Sequence, residues 1–245
     1  MPGGIYYVFL SLLSDKGFNV IGVDRPGHGY SGGVRGNCSM DDVRDFMPMI
    51  IDKASELFND TIGLFGTSLG GITTFYLLPD LTGVKSALCH NWLYPGELAD
   101  ESKWLLSMIL KTLNVVAPMK AVPIRKLVDR EKVKELSEYQ ALIDYYKAID
   151  HDPIYCQNLT LRSVVSYFGG YHPDNDYSHV TIPVMGVISE GEKVLPLKTS
   201  MQWWARAGFN TDNITIIKDA KHMIFHDRVA QLVDVVSDWF KDTLK

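Results

Sequence analysis

Apolar residues recur along this chain at two spacings. Ile5 to Leu13 is mostly apolar and closes on Ser14-Asp15-Lys16-Gly17, which predicts a buried helix with a polar stop. Phe18 to Asp24 is a short, nearly continuous apolar run of the kind a buried parallel strand carries. Ser39-Met40-Asp41-Asp42 reads as a helix start. Val43, Phe46, Met47, Ile50, Ile51, Ala54 and Leu57 follow at helical spacing, with Pro48 expected to kink the helix. A strand is predicted over Thr61 to Phe65, a helix over Ile72 to Leu78 and a strand over Val84 to Cys89. Strand and helix in alternation predict an α/β protein, a mostly parallel sheet with helices on both faces.

From about Asn91 the rhythm changes. Helical patterns run through Leu98 to Leu113, Ile124 to Ile149 and Leu159 to Phe168, broken by Pro95, Pro118, Pro123 and Pro153, with no convincing strand. Alternation then returns: a strand over Ile182 to Ile188, a helix over Leu197 to Ala207, a strand over Ile214 to Ile217 and a closing helix over Val229 to Leu244. The chain therefore divides into a core, 1–90 and 179–245, and a helical insertion, 91–178.

Composition narrows the class. A length of 245 residues suits one α/β domain with an insertion, and a net charge of -5 with no basic stripe argues against nucleic acid. Three widely spaced cysteines, Cys38, Cys89 and Cys156, imply no disulfide framework. The apolar N-terminus lacks a basic flank and a small-residue cleavage site, so it reads as a helix and not as a secretory leader. No run reaches the length of a membrane span. A cytoplasmic location is the expectation, and oligomeric state is not encoded in any pattern here.

Two glycine-rich stretches carry the candidate chemistry. Gly27-His28-Gly29-Tyr30-Ser31-Gly32 contains G-x-G-x-x-G after a predicted strand, but no helix begins within the glycines to meet a pyrophosphate. Gly66-Thr67-Ser68-Leu69-Gly70-Gly71 lies between a predicted strand and a predicted helix, the context of a nucleophile elbow. Gly66 and Gly70 are expected to leave room for neighbouring backbone, Ser68 to project from the turn, and the Leu69 N–H to face a developing oxyanion.

Together with Gly22-Val23-Asp24-Arg25-Pro26-Gly27-His28-Gly29-Tyr30-Ser31-Gly32 and Val34-Arg35-Gly36, this elbow resembles the α/β-hydrolase superfamily, and within it the monoacylglycerol lipase and serine-aminopeptidase-like branch. The resemblance covers nearly the whole chain. It implies an inserted helical cap, matching 91–178, and a Ser-acid-His hydrolase of esters or related acyl bonds with no cofactor and no metal. It also implies the order Ser, acid, His, each after a strand. Among seven histidines His222 stands just past the last predicted strand, in Lys218-Asp219-Ala220-Lys221-His222. His28 is assigned a structural hydrogen bond, while His151, His172 and His179 belong to the insertion or its exit. His226 follows His222 without the adjacent glutamate of a zinc helix. For the acid, Glu192-Lys193-Val194-Leu195-Pro196 favours Glu192, with Glu190 the alternative.

The branch normally carries His-Gly after an earlier strand, followed by a loop that supplies a second oxyanion donor. Here Met1-Pro2-Gly3-Gly4 stands where the tail of that loop is expected, which leaves Gly3 and Gly4 as candidate helpers to Leu69. The reading is a carboxylic ester hydrolase acting on a small-molecule ester with an apolar acyl group, with Trp92, Tyr94, Trp104 and Met108 offered as substrate contacts. Its rivals are an impaired, ligand- or partner-binding member of the same fold, or a shortened form of an active enzyme.

Overall fold

Strands with the period-two pattern meet helices with the 3.6 pattern in a computed structural model. It describes residues 3–95, 104–123, 136–141, 144, 148, 154–169, 175–195 and 197–245, with the backbone alone for 104–107. One 3₁₀ turn, Gly3–Tyr6, leads into α1, Tyr7–Asp15. Next come α2 (Met40–Leu57), β1 (Ile62–Thr67), α3 (Leu69–Leu77) and β2 (Val84–His90). Then follow α4 (Trp104–Val116), β3 (Ala121–Pro123), β4 (Asn158–Thr160), and α5 (Leu161–Val164), which runs into a π turn at Val165–Gly169. The chain closes with β5 (Val184–Ser189), α6 (Leu197–Arg206), β6 (Ile214–Ile217), α7 (Ile224–Asp227) and α8 (Val229–Thr243).

The main sheet has the order β1-β2-β5-β6, and every pairing in it is parallel. Alternation along its strands separates two cores. Ala87, Cys89, Val184 and Ile188 face a cluster with α2, α3 and the Trp203 and Trp204 side chains of α6. Leu88, Met185 and Val187 face the other way, onto Phe9 and Leu13 of α1 and Leu232, Val236 and Phe240 of α8. Successive side chains point to opposite faces, so a continuous apolar run fills both layers at once. Each large side chain so buried contributes about 1.5–3 kcal/mol.

Ser39 caps α2: its hydroxyl accepts from the Asp42 N–H, while the Asp42 carboxylate accepts from the Ser39 N–H. Helix α2 continues through Pro48 as one element to Leu57.

Two expectations are corrected. Phe18 to Asp24 forms no ladder, and β1 is an edge of the sheet. Phe18–Val23 and Ile62–Thr67 both line a cavity of about 1390 Å³, and no ladder joins the two runs. The stretch 91–178 also holds strand: β3 and β4 pair antiparallel, Ala121 with Thr160 and Pro123 with Asn158. Three-residue strands are too short to leave a period-two signature. Most of the predicted helix over Ile124 to Ile149 lies outside the described residues.

Candidate active site

The end of β1 delivers Ser68 into a sharp turn. Its φ of 53° and ψ of -120° lie where L-residues are rarely found. Two backbone bonds hold it there: the Ser68 N–H donates to His90 O at 3.1 Å, and the Ile72 N–H donates to Ser68 O at 3.0 Å. A Cβ at Gly66 would lie 2.2 Å from Gly70 O, and one at Gly71 would lie 2.3 Å from His90 O. A Cβ at Gly70 would meet nothing within 4 Å. The close approaches therefore need Gly66 and Gly71, and Gly70 is not sterically required as the pattern alone suggested.

Ser68 Oγ lies 2.8 Å from His222 Nε2, and His222 Nδ1 lies 2.8 Å from Glu192 Oε2. The His222 and Glu192 side chains are only 7% and 3% exposed, so water does not screen the pair. An ionised carboxylate only accepts, so Nδ1 carries the proton and Nε2 is left to accept from the Ser68 hydroxyl.

Glu192 is held on both oxygens. Oε1 accepts from the N–H groups of Val194 (2.5 Å) and Leu195 (3.0 Å), and Oε2 also accepts from Asn91 Nδ2 at 2.6 Å. Burial pushes its carboxyl up, but the bond and charge of His222 and the two N–H groups outweigh that and hold it below the ordinary glutamate range. Glu190 is exposed, and its Oε2 accepts from the Asp219 N–H at 3.1 Å, beside the histidine loop and away from the ring.

Sequence patterns missed two participants. Asn91, with φ 56°, follows β2 directly and reaches Glu192. His90 sits beneath the site, Nδ1 2.7 Å from Thr67 Oγ1 and Nε2 3.1 Å from Ser189 Oγ, its ring centroid 6.5 Å from that of His222. Burial, and then the His222 charge, pull His90 down to about 3, so it stays neutral. Their position at the strand end beside the elbow was the available signal.

The Leu69 N–H, at the first position of α3, has no acceptor within its own helix. Gly3 does not assist it: its N–H donates to Asp24 Oδ1. Gly4 is exposed and absent from the cavity lining. The Gly27–Gly32 loop wraps Asp24 instead of a phosphate. The Tyr30 N–H donates to the Asp24 carboxylate, the Ser31 hydroxyl to its carbonyl, and α2 starts only at Met40. His28 Nδ1 lies 3.0 Å from Pro26 O within this loop.

The aromatic contacts fall elsewhere. Trp92 is fully buried, donates to Ser200 O at 2.8 Å and packs on Trp204 at 4.5 Å. Tyr94 stacks on Trp203 at 4.1 Å and is 2% exposed. Met108 is exposed. None of the three lines the cavity that Ser68, Leu69 and His222 share. The apolar surface that marked them was satisfied by core packing or left in solvent, and the Trp104 side chain lies outside the described residues. Among the described residues no three His, Cys, Asp or Glu side chains converge as a metal site, and no helix is long and apolar enough to cross a membrane.

The chain has relatives among known proteins. A family model described as serine aminopeptidase, S33, matches residues 3–229. An uncharacterized 31.7 kDa protein of the traX-finO intergenic region of Escherichia coli is 26% identical over 251 residues, covering 96% of this chain and 85% of its own. Among solved structures, the monoacylglycerol lipase of Paleococcus ferrophilus superposes with a TM-score of 0.76 at 21% identity, over 98% of this chain and 89% of its own. A soluble variant of the Saccharomyces cerevisiae monoglyceride lipase gives 0.74 at 16%, over 99% and 83%. A thermostable carboxyl esterase of Bacillus coagulans gives 0.73 at 14%, over 100% and 87%.

Proposed function

Because this chain belongs to the serine aminopeptidase (S33) family of α/β-hydrolases, in a lipase- and esterase-like branch of that fold, we propose that it hydrolyses a carboxylic ester through an acyl-enzyme. The observation that carries the proposal is the relay of two 2.8 Å contacts from Ser68 through His222 to Glu192. Ser68 Oγ attacks the ester carbonyl while His222 Nε2 takes its proton. Glu192 holds the imidazole in the reactive tautomer and stabilises its charged form. The Leu69 N–H receives the oxyanion. His222 then passes the proton to the leaving alkoxide. Water, activated the same way, releases the acid and frees Ser68.

Residues 91–178 act in this reading as the cap over the cleft, since Leu110, Leu159, Val164 and Phe168 line the same cavity as the elbow. The three free cysteines fit a reducing compartment, so the reading places the enzyme in the cytoplasm.

A fluorophosphonate should attach at Ser68, and Ser68→Ala should abolish attachment. Labelling of another serine, or unchanged labelling of the variant, rejects the assignment. p-Nitrophenyl esters should turn over at least about a hundredfold faster than amino-acid p-nitroanilides, and the opposite order would make the chain a peptidase.

A further inference from the structure

Arg25 follows the Phe18 to Asp24 run and lines the same cavity as Ser68, Leu69 and His222. Its Nη1 donates to the Tyr167 hydroxyl at 2.7 Å, and its Cζ lies 5.4 Å from the Tyr167 ring centroid. Arg44, Arg162 and Arg228 each hold a carboxylate, whereas among the described residues Arg25 holds none. The neighbouring Asp24 carboxylate is already taken by the N–H groups of Gly3 and Tyr30.

The groups around Arg25 do not compensate its charge. Tyr6 and Tyr167 are pushed up to about 12 by burial, and burial also raises the Cys38 thiol, so all three are neutral at pH 7. The positive field is felt nearby: burial, and then Arg25, pull His28 down to about 4. The described cavity lining includes Arg25 and the exposed Lys193 and Lys241, and no Asp or Glu.

A half-buried guanidinium without a carboxylate partner has lost part of its hydration uncompensated, and its planar fork matches a carboxylate with two parallel bonds. Leu10, Phe18, Phe46 and Met47 are among the apolar residues that line the same cavity. We propose that Arg25 is an anion subsite of this cleft, and that the ester cleaved has an apolar acyl chain ending in a carboxylate. The proposal rests on the ester-hydrolase reading above and names its substrate class. One half-buried monocation in a largely apolar cavity suits a monoanionic carboxylate better than a phosphate dianion, which calls for several donors.

The test compares p-nitrophenyl butyrate and hexanoate with the mono-p-nitrophenyl esters of glutarate, adipate and suberate, and measures glutarate binding to the wild type by calorimetry. At least one charged ester should show kcat/KM about ten- to hundredfold above the neutral ester of similar length, and glutarate should bind. Arg25→Met should bring that ratio to about one and abolish glutarate binding, while Arg25→Lys should keep part of both. A wild type that neither prefers a charged ester nor binds glutarate overturns the proposal. So does an Arg25→Met variant that slows charged and neutral esters alike, because Arg25 would then act only by tethering Tyr167. If glutarate binds through Arg25 but no ester turns over and Ser68 does not label, the ester reading fails and the anion subsite stands.

Discussion

Ser68 occupies a backbone region that costs about 1–3 kcal/mol for a residue with a Cβ, and the His90 carbonyl and the first turn of α3 hold it there. Strain of that kind presents the hydroxyl to His222, and the relay then depends on which carboxylate reaches Nδ1. Glu192→Gln should lower kcat by about three to four orders of magnitude, because an amide no longer fixes the tautomer. Glu190→Gln should change it by less than about threefold, since the Glu190 carboxylate accepts from the Asp219 N–H and not from His222. Steady-state rates on p-nitrophenyl butyrate decide this, and a severe Glu190 variant would reverse the assignment. The oxyanion site makes a second residue-scale prediction. With Gly3 tied to Asp24, the proposed mechanism is left with the Leu69 N–H as its oxyanion donor. Loss of one donor costs about a hundred- to thousandfold, so kcat should fall near 0.01–0.1 s⁻¹ against about 10 s⁻¹ for an ordinary enzyme. A measured kcat near 10 s⁻¹ would mean a second N–H serves the site.

Among the elements, α2 shows how a short sequence signal becomes a tertiary joint. Asp42 closes the capping box and also takes both Nη atoms of Arg162 from α5, which ties α2 to α5. The Arg162 bond leads the causes that hold the Asp42 carboxyl down at about 2 against 3.8. A depressed folded-state pKa means stability that is present above pH 3.8 and lost as pH falls toward 2. The shift corresponds to about 2 kcal/mol, and discounting for the roughly one-third exposure of both side chains leaves about 1 kcal/mol. Asp42→Asn should therefore lower urea-unfolding stability by about 1 kcal/mol at pH 7, and the gap should close between about pH 4 and pH 2. A difference that does not vary with pH would show the ion pair contributes nothing. The Ser39 and Asp42 pattern is legible in the sequence, because the two residues are three apart and cap one helix. The Arg162 partner, 120 positions away, is not.

At the scale of the whole molecule the open edge of β1 dominates. A cavity of about 1390 Å³ exceeds the ~300–1,000 Å³ usual for small-molecule sites, and part of its wall is unpaired strand backbone. Apolar surface and a free strand edge favour dye binding and association. Anilinonaphthalene sulfonate should fluoresce strongly with the native protein at pH 7, and light scattering should rise with protein concentration. Absence of both would mean that the edge is covered in solution. The same cavity would admit an acyl chain beside Ser68, so a long-chain ester should compete with the dye.

What the sequence determined follows from local periodicity and turn chemistry. Apolar spacing located α1, α2, β1, α3, β2, β5, α6, β6 and α8 to within a few residues, because burial on one stripe or two faces leaves a period. The strand–Gly–x–Ser–x–Gly–helix order picked out Ser68, strand position picked out His222 and offered Glu190 or Glu192, and the Glu192 to Pro196 resemblance favoured Glu192; Ser68, His222 and Glu192 are side chains that do meet. Tertiary structure decided the rest. Phe18 to Asp24 has the composition of a strand, but a ladder needs a neighbour, and only the fold reveals that none lies alongside. Trp92 and Tyr94 have the composition of a binding surface, yet packing turned them into the core. Asn91 and Arg25 differ in what stands across from them: a carboxylate in one case and, among the described residues, none in the other. Neither is a property of local sequence, because both depend on contacts between residues far apart in the chain.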